Sequence, residues 1–146
     1  MQTFNGNHKT LHRATAAADR KYRQVTTMQK LIIPGRPVPH VRMTQRSKYS
    51  EPQAQRYLGY KEQVGWYARA ARVPFIAAGP AALESYFYLC GGQTPDLSNL
   101  IKAIEDGLNT IAYKDDKQID YIVARRIWVP QKSQERAEIY VTEGGL

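Results

Sequence analysis

One stretch constrains the fold more than any other. Leu97, Leu100, Ile101, Ile104, Leu108 and Ile111 fall 3, 1, 3, 4 and 3 positions apart. That spacing sets them on one face of a helix, and such a face must be buried. The helix starts after Pro95-Asp96 and is weakened slightly by Gly107. Before it, Ala82 to Cys90 reads as a strand carrying Leu83, Tyr86, Phe87, Tyr88 and Leu89, broken by Gly91-Gly92. After it, Lys114-Asp115-Asp116-Lys117 reads as a turn, and Ile119 to Val129 as a long strand closed by Pro130. A strand, an amphipathic helix and a second strand call for a sheet with helices packed on it.

The remaining elements agree. Lys30-Leu31-Ile32-Ile33 is a short strand stopped by Pro34-Gly35. Prolines 34, 37 and 39 keep the chain extended, without regular structure, to about Ser50. Ser50-Glu51-Pro52 opens a second helix that runs to about Arg72. In it Tyr57, Tyr60, Val64, Tyr67 and Ala71 form a buried stripe. Arg136 to Thr142 is a last strand with Ala137, Ile139 and Val141 alternating, and the link from Val129 is short enough for a hairpin. The expected fold is β-α-β-α-β-β, a mixed α/β single domain with one mixed sheet and two packed helices.

The chain of 146 residues suits one domain plus a tail. Residues 28–146 form the expected domain. Residues 1–27 carry Lys9, Arg13, Arg20, Lys21 and Arg23 against Asp19 alone and read as a basic leader. Cys90 is the sole cysteine, so no intramolecular disulfide and no cysteine-rich zinc module is available. No apolar run reaches the roughly 20 residues of a membrane span, and a cytoplasmic location is expected. Phosphate-cradling glycine loops and a Gly-x-Ser-x-Gly elbow are missing. The histidines, His8, His12 and His40, lie in the leader and the proline-rich segment, which leaves no His pair on the folded elements for zinc.

Charge supplies the next constraint. Lys and Arg number 21 against 13 acids, a net charge of +8. An excess of that size favours a polyanionic partner such as nucleic acid. Between residues 96 and 120, however, six acids (Asp96, Glu105, Asp106, Asp115, Asp116 and Asp120) face only Lys102, Lys114 and Lys117. A basic chain with one acidic island has the charge plan of a metal-dependent nuclease: bases hold phosphates and acids hold divalent cations. An acid-rich helix and turn facing water has the same count, so charge alone leaves both readings open.

Spacing narrows the choice. Asp96 sits where the helix begins and, taken alone, is a helix cap. The helix leads away from Asp96, and the acidic turn can bring Asp116 back beside the same sheet edge. Carboxylates from two segments then converge, and Mg²⁺ favours such hard oxygen ligands. Asp96 and Asp106 are ten residues apart, roughly 15 Å along the axis, so they do not share an ion. Asp106 instead falls four residues after Lys102 and suits a structural pairing with it. Lys102 is near enough to Asp96 to approach a bound phosphate.

The segments Pro-Asp-Leu-Ser-Asn-Leu-Ile-Lys (95–102), Glu-Asp-Gly-Leu-Asn (105–109) and Tyr-Lys-Asp-Asp-Lys-Gln-Ile (113–119), with Ile-Pro-Gly-Arg-Pro-Val-Pro (33–39), resemble the RusA family of crossover junction endodeoxyribonucleases. These are the Holliday junction resolvases of bacteria and their phages. The resemblance runs from about Met28 to the C-terminus. It implies a Mg²⁺-dependent homodimer that binds four-way junction DNA in recombination and repair and nicks two opposing strands. It also implies that Asp96 and Asp116 bind metal and that Lys102 is the functional lysine. The family has a second aspartate two residues after the first, and Ser98 stands there in this chain. The expected catalytic set is therefore Asp96, Asp116 and Lys102, with Asp115 assisting as a further ligand. Arg36, Arg42, Arg46 and Lys48 are expected phosphate anchors, joined by Lys102, Lys114 and Lys117. Two other readings stand beside this one: a binding protein for branched DNA that Ser98 has deprived of chemistry, and a nuclease for another branched DNA.

Overall fold

The computed structural model describes residues 29–144, so the basic leader expected at 1–27 lies outside the described residues. Strand β1 is Gln29–Pro34, helix α1 Ser47–Ser50, helix α2 Pro52–Ala70, strand β2 Ala81–Leu89, helix α3 Leu97–Leu108, strand β3 Ile119–Trp128 and strand β4 Arg136–Glu143. Single turns of 3₁₀ helix at Asp116–Gln118 and Lys132–Gln134 precede β3 and β4.

The elements follow the sequence pattern, with three differences. The extended basic stretch contains one helical turn, α1, which Ser47 and Thr44 stabilise through reciprocal side-chain bonds. Helix α3 stops at Leu108, before Ile111, because Asn109 leaves the helical region (ψ 134°) and Thr110 then takes the left-handed conformation (φ 67°), turning the chain. The third difference concerns topology. The sheet order is β1-β4-β2-β3, so β3 and β4 form no hairpin. β3 instead pairs parallel with β2 through the α3 crossover. β4 then crosses to the far side of β2 and lies antiparallel between it and β1. A short link does not force pairing: β4, with Ala137 and Ile139 fully buried, takes a central place, while the partly exposed β3 takes the edge. In β4, Ala137, Ile139 and Val141 sit opposite Phe87, Ser85 and Leu83 of β2.

The core lies between one sheet face and helices α2 and α3. Leu31, Ile33, Leu83, Phe87, Leu89 and Ile139 come from the strands. Tyr57, Tyr60 and Val64 from α2 meet Leu100, Ile104 and Leu108 from α3. The helices approach closely at two glycines. A Cβ on Gly107 would stand 2.7 Å from the Val64 Cβ, and one on Gly65 would stand 2.9 Å from Ile111 Cδ1. Among the described residues no helix packs on the opposite sheet face. There Glu138, buried despite its charge, accepts from Lys30 at 3.1 Å and from Arg136 at 2.9 Å. Tyr88 donates to the same carboxylate at 3.2 Å, and Arg136 lies 3.7 Å above the Tyr88 ring.

Candidate active site

Asp96 caps α3. Its Oδ1 accepts from the Ser98 amide at 3.3 Å and from the Ser98 hydroxyl at 3.0 Å. Ser98 is thus occupied as a donor to Asp96. Behind the cap, Arg126 of β3 donates to the Pro95 carbonyl at 2.8 Å and ties the entrance of α3 to the sheet.

Six residues further along α3, about 9 Å down its axis, Lys102 stands between two acids. Its ammonium donates to Asp106 Oδ1 at 3.0 Å and to Asp116 Oδ2 at 3.2 Å. The bond to Asp106 is the main cause that raises the Lys102 pKa, burial opposes it, and Asp116 adds to the rise. Burial alone would raise Asp106. The Tyr57 hydroxyl, donating at 2.6 Å, and Lys102 outweigh it and hold Asp106 below the ordinary carboxylate range. Glu105 is raised, first by burial and then by Asp116 and Asp106, against the pull of Lys102. In space, then, the acidic island is Glu105, Asp106 and Asp116 arranged around Lys102.

Two residues without an assigned role in the sequence bring Asp116 back to α3. Tyr113 is fully buried, and its hydroxyl donates to the Glu105 carbonyl at 2.7 Å, which pins the return of the chain to the end of the helix. Gln118 accepts from the amides of Lys114 and Asp115 at 2.8 and 3.0 Å, and donates to the carbonyls of Ile76 and Gly79, each at 3.1 Å. One side chain therefore staples the acidic turn to the loop before β2. A glutamine on a polar turn has no hydropathy signal, so periodicity could not single it out. Tyr113 and Gln118 both lie in the 113–119 segment that carries the family resemblance, but neither had a role there.

The other expected site residues divide by what they touch. Asp115 accepts from the Lys117 amide at 2.9 Å and caps the 3₁₀ turn. That amide is the first cause of its lowered pKa. Arg36 is engaged inside the protein, with Glu135 at 2.6 Å, the Cys90 carbonyl at 3.3 Å and the Gln93 carbonyl at 2.9 Å. Arg42, Arg46, Lys48, Lys114 and Lys117 are exposed. His40, on the basic segment, sets its ring edge-on against Tyr57, with centroids 4.9 Å apart. Its amide donates to the Asn99 carbonyl at 2.9 Å, which fastens that segment to α3.

Among the described residues no three His, Cys, Asp or Glu side chains gather into a ready cation site. The donor chemistry nonetheless fits a hard divalent ion. Asp116 already presents an oxygen to a cationic group, the Lys102 ammonium, and Asp96 is an exposed carboxylate at the start of the helix that carries Lys102. Mg²⁺ commonly takes only one or two protein carboxylates and completes its shell with water and substrate phosphate.

The sequence model described as "Endodeoxyribonuclease RusA" matches residues 34–142. No curated protein sequence matches the chain. The matched span runs from the end of β1 almost to the end of β4 and takes in the capped helix, Lys102 and the acidic turn. The chain belongs to the RusA endodeoxyribonuclease family.

Proposed function

We propose that this protein is a Mg²⁺-dependent homodimeric endonuclease that resolves four-way DNA junctions by paired nicks. One observation carries the reading: Lys102 and Asp116, from two separate parts of the family motif, meet at 3.2 Å within the matched span. Asp96 and Asp116 are the residues that would hold the cation, with Asp115 and Ser98 assisting through water. When bound, the cation polarises the phosphoryl group and makes an attacking water more acidic. Lys102 offsets negative charge that builds on the phosphoryl oxygens. Arg42, Arg46, Lys48, Lys114 and Lys117 hold the flanking phosphates. Arg36 joins them only by leaving Glu135.

The homodimer reading draws support from the sheet face on which, among the described residues, no helix packs. Ile32 is 45% exposed there. Lys30, Arg125 and Arg136 on that face are nearly balanced by Glu84 and Glu138. Near-neutral charge on a chain of +8 suits a second copy better than it suits DNA. A sedimentation mass equal to one chain would remove this part of the proposal. Among the described residues no helix is long and apolar enough to cross a membrane, in keeping with a cytoplasmic site of action.

The test is cleavage of a synthetic four-way junction beside a flap and a linear duplex, with Mg²⁺ and with chelator. Two symmetric nicks in the junction, abolished by the chelator, are expected. Junction binding with no cleavage under any divalent ion would instead support a binding protein disabled at Ser98, and preferred flap cutting would support another branched substrate. Binding also has a signature. Replacing Arg42, Arg46 and Lys48 together by Ala should flatten the plot of log affinity against log salt by about 0.9 for each phosphate that the protein no longer neutralises. An unchanged slope would remove these residues from the DNA interface.

A further inference from the structure

Lys102 carries a long, flexible stem that by itself does not fix the ammonium in one place. Its bond to Asp106 is a pair four residues apart on a helix, and such pairs at a surface hold lysines only weakly. Here the acid is itself fixed. Asp106 Oδ1 takes Lys102 at 3.0 Å, while Oδ2 accepts from Tyr57 at 2.6 Å across the helix pair. The Tyr57 ring is 2% exposed and is braced by the edge of His40. Each carboxylate oxygen thus has one partner, and rotation of Asp106 would break both bonds.

We propose that Asp106, clamped by Tyr57, is a positioning residue that aims Lys102 at the phosphate bound beside Asp116. The inference rests on the endonuclease reading for its catalytic consequence, although the clamp itself can be measured apart from it. Tyr57 links the packing of α2 to the placement of Lys102, and His40 brings the basic segment to the back of the same ring. Asp106 touches neither substrate nor cation in this scheme; it acts through Lys102 alone.

Two variants test it, Asp106→Asn and Tyr57→Phe. The first readout is the NMR order parameter of the Lys102 Cε group in protein without divalent cation and without DNA. It should fall in both variants, with thermal unfolding used to confirm that each is folded. The second readout is junction nicking in Mg²⁺. Asp106→Asn should lower kcat about 10- to 100-fold, the scale for groups that orient a functional side chain, with KM and junction affinity unchanged. Tyr57→Phe should give a smaller loss of the same kind. If Asp106→Asn fails to fold, Tyr57→Phe decides the matter alone. An unchanged Lys102 order parameter in the folded variants would overturn the proposal, as would a loss confined to KM. If the wild-type protein cuts no DNA at all, the endonuclease reading fails, and the order parameter still reports whether the clamp exists.

Discussion

Asp116→Asn should remove four-way junction nicking while leaving junction binding intact. Asparagine keeps the shape of the side chain and loses its charge, so the variant separates chemistry from architecture. Two things disappear with the charge: an anionic oxygen for a divalent ion, and the ion pair with Lys102 at 3.2 Å. Losing one preorganised electrostatic group at a reacting centre costs about 10²- to 10³-fold in kcat, and a loss of at least the lower figure is expected. The fold should hardly respond. The Lys102–Asp116 pair is partly exposed, and pairs of this kind contribute about 0–1 kcal/mol. Gel assays of nicking, electrophoretic shift of the junction and thermal melting measure the three quantities on one preparation. Wild-type nicking rates in Asp116→Asn would end the assignment of Asp116.

The second large effect is on stability. Gly107→Ala should destabilise the protein by about 1–3 kcal/mol, the usual cost of overpacking a filled interface. Helix propensity argues the other way, since alanine in place of an interior helical glycine gains about 1 kcal/mol. Geometry decides between them. The added Cβ would stand 2.7 Å from the Val64 Cβ and Cγ1, and 3.2 Å from the Lys61 carbonyl. These are a branched side chain close to its backbone and the backbone itself, not the yielding tip of a long chain, so the two helices must separate. Separation would also stretch the Tyr57–Asp106 bond, which spans the same helix pair. Urea unfolding gives the sign directly, and a stabilised variant would show that α2 and α3 can part without cost.

Much of the architecture was legible because local physics sets it. Period-two alternation placed β4, and apolar residues three and four apart placed α2 and α3. Pro52 and Pro74 bracketed α2 and Pro95 preceded α3, whose C-terminal end no proline or glycine marked. The pairing of Lys102 with Asp106 was legible for the same reason, since residues four apart on a helix are neighbours whatever surrounds them. Local signals gave no hint of the short α1 turn, which depends on a Ser47–Thr44 exchange of side-chain bonds within a basic segment. The role of Gln118 was likewise hidden, although the residue lies in the family-like segment, because its four bonds go to backbone groups as distant as Ile76.

The sequence by itself determined the four strands and the two long helices, where the acids concentrate and which family the motif resembles, because each of these depends on residues close together along the chain. Tertiary structure alone decided that β4 enters between β1 and β2, that Gly107 is the seat for Val64, and that Tyr57 reaches Asp106 behind Lys102. Those outcomes join residues tens of positions apart. They depend on which apolar faces fit together in three dimensions, and neither periodicity nor spacing along the chain encodes that fit.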